Sequence, residues 1–246
     1  MRLIILSLFS LVLLACTTAP SYNSTVYAYV DQREINSAPL QHIMIAPVNH
    51  GKPSRHYLSL HEEKIDRLLA QYLEKSGLDV IDNTTFRQAW QAAESRSGSL
   101  FNSITGEPTS AHDSAMHEAL QAAFDANPRL NAVLFTDLIE TPQQYQLAAK
   151  RFAEWHGVRR KVKMEGVGRG IFEEFNWNET VDAISLSVYL VDRAGSVIFH
   201  SIGGIQIAQA VAVQNKSAEF RRRKDLLTDR DEIREAIQLA LHPVIP

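Results

Sequence analysis

The side chains here that could do chemistry are one thiol, scattered imidazoles, a glycine-rich run and adjacent carboxylates, and spacing tests each of them. Cys16 is the only cysteine in 246 residues. A zinc-protease helix needs two histidines four apart with a glutamate between, so that both imidazoles face one metal. His61-Glu62-Glu63-Lys64-Ile65 offers no second histidine, and His112 and His117, five apart, fall on different faces of a helix and read as solvated. Gly166-Val167-Gly168-Arg169-Gly170 has neither the dinucleotide nor the nucleoside-triphosphate spacing, and no lysine-serine pair follows it. It reads as a loop or an irregular hairpin. Glu173 and Glu174 are neighbours, which on a strand point apart, and no Gly-x-Ser-x-Gly elbow occurs. These patterns predict no catalytic residue, no metal and no cofactor.

The thiol is different, because its position carries the information. A basic start, Met1-Arg2, precedes an apolar run from Leu3 to Leu14, broken only by Ser7 and Ser10 and followed by Ala15 and Cys16. A spanning helix needs about 20 apolar residues, so this run is a secretory signal instead. Leu13, Ala15 and Cys16 resemble the lipobox of bacterial lipoproteins, in which the cysteine is diacylated, the preceding peptide is removed and the new amino terminus is acylated. The resemblance implies Cys16 as the lipidation site, and Thr17, in place of the aspartate that retains lipoproteins in the inner membrane, implies the outer membrane, periplasmic face. Two or three acyl chains anchor stably where one does not. Lipidation would also consume the only thiol and so preclude an internal disulfide.

Residues 1–15 are thus read as signal peptide, 16–39 as a polar lipidated tether and 40–246 as a single periplasmic α/β domain. An apolar fraction of 45% and a charged fraction of 22% are ordinary for a globular chain. Loss of Arg2 takes the formal charge from -3 to about -4, without long charged blocks, which argues against nucleic-acid binding.

His42 to Val48 reads as a buried strand, Ser59-Leu60-His61-Glu62 as a capping box opening a helix with Ile65, Leu68, Leu69, Tyr72 and Leu73 on one face, and Gly77 as its stop. Leu78 to Asp82 is a second strand, and a helix follows Asn83 or Thr84. Ser95 to Ser110 reads as a mobile loop. A third helix carries Met116, Leu120 and Phe124, and Ala132 to Ile139 is a central strand. Tyr145 to Trp155 reads as a further strand. Val181 to Asp192 and Val197 to Val211 form a long hairpin with a bulge at Gly203-Gly204, and Thr228 or Asp229 caps a closing helix bearing Ile233, Ile237 and Leu241. The predicted fold class is α/β (α+β): a mixed, largely antiparallel sheet covered by helices.

The opening Ile-Ala-Pro-Val strand, the helix ending Gly-Leu-Asp-Val-Ile, the Asn-Ala-Val-Leu-Phe strand and the hairpin Leu-Val-Asp-Arg-Ala-Gly-Ser-Val-Ile-Phe-His resemble periplasmic lipoproteins related to the curli-secretion lipoprotein. Related sheets occur in the TolB amino-terminal domain and in lipoprotein activators of peptidoglycan synthases. That resemblance implies a non-enzymatic assembly or interaction component of the envelope, with a protein partner or homo-oligomer. The alternative is an envelope hydrolase or glycan-acting enzyme with dispersed catalytic residues, which a deep pocket gathering Glu, Asp or His would favour. For the first reading the contact surface is expected in the irregular segment Gly157 to Thr180 and the basic cluster after it. Aromatics and arginines are over-represented among interface anchors. The candidates are Trp155, Arg159, Arg160, Phe172, Phe175, Trp177, Arg221, Arg222 and Arg223, with core packing as the competing reading for Trp155.

Overall fold

The structure, a computed structural model, describes residues 29–31, 40–49, 56–104, 107–146, 152–167, 180–214 and 217–245. Cys16, Phe172, Phe175 and Trp177 lie outside the described residues, as does most of the segment read as a tether.

Strand β1 is Tyr29–Val30 and β2 is His42–Ile45, whose last three residues are buried. A 3-10 turn, His56–His61, runs into helix α1, Glu62–Lys75, which buries Ile65, Leu68, Leu69 and Leu73. The expected capping box is corrected here: the residue before the helix is His61, and its side chain makes no capping hydrogen bond. The helix enters as a continuation of the 3-10 turn. Its end is as read. Leu78 N donates to Leu73 O and Gly77 N to Glu74 O, with Gly77 at φ 85°, the left-handed close that glycine adopts without a Cβ penalty. Then come β3 (Asp79–Ile81), α2 (Thr84–Ser97) and α3 (His112–Ala126).

The stretch between α2 and α3 is better packed than its Ser/Gly composition implies. Leu100 is fully buried, Phe101 bridges to Pro108, and Trp90, Phe101 and His112 meet ring against ring. His112 is therefore a core residue rather than a solvated one. His117 faces out.

Strand β4, Ala132–Gln146, forms the spine of the larger sheet. It runs parallel to β2 and, over the whole of β8 (Thr180–Val191), antiparallel to that strand. β8 turns back into β9 (Val197–Ile207), closed by Ser196 N donating to Asp192 Oδ1 at 2.8 Å. The order β1-β9-β8-β4-β2-β3 places the parallel β2–β3 pair at one side and antiparallel pairing on the other. This is the mixed, largely antiparallel α+β arrangement expected. β1 pairs with β9, so Tyr29 and Val30 belong to the sheet rather than to a tether.

Two departures lie beyond β4. The strand expected over Tyr145–Trp155 is the end of β4 and a separate β5 (Phe152–Trp155), which folds onto β6 (Val158–Lys161) through His156 and Gly157, both at positive φ. The long return strand also divides. Register steps from Ile184↔Gln206 to Ser185↔Gly204, leaving Ile205 as the extra residue, and β9 ends at Ile207. After Ala208 the chain enters a second sheet as β10 (Gln209–Gln214), flanked by β11 (Ser217–Arg222) and by β7 (Lys163–Val167).

Helix α4, Arg230–Leu241, is capped by Asp229 Oδ1, which accepts from Asp231 N and Glu232 N. It approaches β9 closely at Gly203, where a Cβ would stand 2.1 Å from Ala236 O. Three apolar clusters result: α1 and α4 on one face of the larger sheet, α2 and α3 on the other, and β5, β6 and β10 around Trp155. No helix among the described residues is long and apolar enough to cross a membrane.

Candidate functional site

Parallel strands flanked by helices leave a crevice beyond their carboxyl ends, where the chain passes from strand to helix. Here that crevice lies past Ile45 and Ile81, between the first turns of α1 and α2. It has two lobes. One, about 540 Å³, is lined by Ile45, Val80, Asp82, Arg67 and Ala70, and the other, about 460 Å³, by Pro47, Val48, Glu62, Arg87, Trp90 and Gln91. Glu63, Asp66 and Asn83 line both.

Two asparagines fix the walls. Asn49 sits at φ 63°, a left-handed conformation that asparagine tolerates better than most residues. Its Oδ1 accepts from Leu138 N at 2.8 Å, its own N–H donates to Thr136 O, and its Nδ2 donates to Glu62 Oε1 at 2.8 Å. The loop after β2 is thereby fastened to β4, and one carboxylate of α1 is fastened to the loop. Asn83 Nδ2 donates to Ile45 O, tying the start of α2 to β2. Asp82 Oδ1 accepts from Thr84 N, and hydrogen bonds from Thr84 hold the Asp82 carboxyl below its ordinary range.

Asp66 is held less completely, its carboxyl taking the Val48 amide alone. Its Oδ1 is buried and has no hydrogen-bond partner. Burial and then the Glu62 charge push the carboxyl up to about 7; the Val48 amide and the Arg87 guanidinium pull the other way, while Glu63 adds to the rise. A carboxyl poised near neutrality in a concave site can exchange a proton or hold a cation. Among the described residues no group of three or more His, Cys, Asp or Glu is placed to hold a metal ion.

The residues singled out from sequence are spread elsewhere. Trp155 is buried, its Nε1 donating to Ser185 Oγ at 3.1 Å, with His156 Nδ1 2.8 Å from the same oxygen. It is corrected from contact surface to core, because burying the ring and satisfying its N–H uses both ends of the side chain. Arg160 is likewise an internal clamp: Nε donates to Ile205 O at 2.9 Å and NH2 reaches Glu235 at 2.6 Å, with Glu232 at 3.6 Å. Arg159 remains half exposed, paired with Glu154 and stacked over Phe152.

Each arginine of the basic cluster is met by a carboxylate of the same chain. Arg221 pairs with Glu219, Arg222 with Glu140 and Arg223 with Asp225, which Lys163 also holds at 2.6 Å. A free basic patch is therefore not what this strand presents. Sequence reasoning passed over Asp66 and Asn49, and took Asn83 only as the start of a helix. One signal for Asp66 is readable: Glu62 and Asp66 are four apart on a helix, a like-charge pair that costs stability unless something needs it.

No family model matches the chain, and no curated protein matches it. Among solved structures, the crystal structure assigned to a neuraminyllactose-binding hemagglutinin homolog from Helicobacter pylori is similar over 82% of each chain, at 11% identity and a TM-score of 0.32. A likeness that slight bears on neither fold nor function.

Proposed function

We propose that the chain is a lipid-anchored component of a bacterial envelope, held on the periplasmic face of the outer membrane, that works by binding an envelope protein or ligand without turning it over. The observation that carries this reading is the only cysteine standing directly after Leu13-Leu14-Ala15 at the end of a short apolar run. The resemblance to envelope-assembly lipoproteins supports the binding role. The crevice supplies a formed concave surface for it, whereas the arginines of β11 are already committed within the chain. Intact mass of membrane-extracted protein should show loss of residues 1–15 and gain of acyl mass. A Cys16→Ala form that is still processed and membrane-bound would contradict the anchor.

One observation favours a second reading, an enzyme acting on envelope glycans: a carboxyl near neutrality inside a cavity is what general acid–base chemistry uses. Incubation with isolated cell-wall glycan decides between them. Turnover by the parent chain that disappears in Asp66→Asn would replace the binding reading by this one.

A further inference from the structure

We propose that the lobe between α1 and the outer edge of β3 takes an extended segment of a partner protein, paired antiparallel with β3 as one more strand of the larger sheet. The inference rests on the reading of this chain as a binding component and names the chemistry of its partner. β3 ends the sheet order on its side, and among the described residues β2 is its only strand neighbour. Along a strand the N–H and C=O of one residue point to one side and those of the next residue to the other. Asp79 N donates to Gln41 O at 2.8 Å, so Asp79 and Ile81 are turned toward β2 and Val80 is turned outward. Val80 therefore offers one backbone donor and one acceptor at the open edge, and a strand is the ligand that answers both.

Edges of native sheets are commonly shielded by lysine, proline, a bulge or a covering element. Asp79-Val80-Ile81 has neither lysine nor proline, its register with β2 is unbroken, and its one charge is engaged by His42 Nδ1, 2.9 Å from Asp79 Oδ2. Instead of covering the edge, α1 leaves a groove beside it. Asp66, Arg67 and Ala70 follow Glu63 by three, four and seven residues and form one stripe with it. The space of about 540 Å³ between that stripe and Val80, Ile81 and Asp82 is the first lobe. An edge strand flanked by a helix stripe is the arrangement in which main-chain bonds supply affinity and the groove selects alternate side chains.

The lining sets what those side chains are. A residue opposite Val80 shares its face, and Val80 packs on the α1 side of the sheet, so that residue meets Val80 and Ala70 and is apolar. α1 runs back along β3, which puts Glu63 at the carboxyl end of the strand. Two positions earlier in an antiparallel partner, the side chain reaches Glu63 and Asp82, both exposed, with Arg67 the one base in the lining, and is basic. A second copy of this chain fits less well, because it would bring the same acidic lining against itself. With three residues in β3, the main-chain contribution is small and the affinity modest.

The test is fluorescence anisotropy on the full chain extracted from membranes in non-ionic detergent, with the probe fluorescein-Gly-Thr-Lys-Thr-Val-Thr-amide. One counterpart carries N-methylvaline, which cannot donate to Val80 O, and another carries glutamate in place of lysine. The expected result is binding of the probe with a Kd below about 1 mM, weakened about tenfold by the N-methyl group and about threefold or more by the glutamate. Ala70→Trp, which fills the groove, should abolish it, while Arg221→Gln binds as the parent does. Four results would overturn the proposal: no anisotropy change up to about 1 mM chain, equal binding of the N-methyl peptide, equal binding of the glutamate peptide, or an Ala70→Trp chain of parental circular dichroism that binds as the parent does. Should that variant misfold, the N-methyl and glutamate peptides on the parent still decide. A silent peptide leaves the Cys16 anchor standing, and turnover of cell-wall glycan would replace the binding reading whatever the peptide does, so the two readings fall separately.

Discussion

The crevice between α1 and α2 and the outer strand of the second sheet are both rich in charge, but they dispose of it in opposite ways. Along β11 and the residue after it, carboxylates from the same strand, from β4 and from the link to α4 meet Arg221, Arg222 and Arg223 in turn. In the crevice a half-buried Asp66 stands among further acids with one oxygen unmet. Charge counted along a sequence is therefore a poor guide to charge available for binding. What matters is whether the fold delivers a counter-charge, and a cluster of arginines that looks like a contact surface can be a set of closed pairs.

The largest expected effect comes from a closed pair outside β11, the clamp made by Arg160. Arg160→Met should destabilise the chain by about 2–4 kcal/mol in chemical denaturation, because it leaves Ile205 O, Glu235 and Glu232 without the guanidinium that serves all three. A loss below 1 kcal/mol would mean that Arg160 behaves like an exposed pair.

Asp66→Asn should move stability the other way. The native carboxyl titrates at about 7 against an ordinary value of 3.8, so the folded state binds the extra proton between these values and stability of the parent falls as pH rises through that window. Above neutrality the penalty is full, and removing it should gain about 1–3 kcal/mol, declining to nothing near the ordinary carboxylate pKa. Denaturation curves at several pH values check this. A gain that is the same at all pH would point to packing instead of charge.

Asp225→Asn tests the paired side again, with a smaller effect and the opposite sign of pH dependence. Hydrogen bonds from Arg223 and then Lys163 hold this carboxyl well below the usual range, so its contribution is present above the ordinary carboxylate pKa and lost as pH falls toward the native value. The group is 39% exposed, and solvent screening limits the loss to below about 1 kcal/mol. Arg221→Gln should be smallest, within about 0.5 kcal/mol, as for an exposed pair.

The fold was largely legible because its central elements carry strong periodicity. β2, α1, β4, the β8–β9 hairpin and α4 are found where their apolar patterns and turn residues put them. The division of the return strand at Ala208 was not legible. Ile205 to Val213 is apolar almost throughout, and what marks the break is long-range: Ala208 N donates to Asp182 O and Arg223 N to Ala208 O as the chain changes sheets. Trp155 was half legible: its burial was weighed, but the partner for its indole, Ser185, lies 30 residues away. The crevice was hidden for the same reason. Within Glu62-Glu63-Lys64-Ile65-Asp66-Arg67, Asp66 looks like one more solvated helix residue, and its environment comes from Val48 on the loop after β2 and from Arg87 and Trp90 on α2.

The central claim, that the fold leaves Asp66 as a proton-holding carboxyl with one buried oxygen unmet beside a crevice, is tested most directly by titrating its side-chain carbon by NMR, with Asp66→Asn to assign the signal. A midpoint at about 7, well apart from the other aspartates, is the predicted result. A midpoint near the ordinary value of 3.8 would show a solvated carboxylate, and the crevice would then have no claim over the rest of the surface.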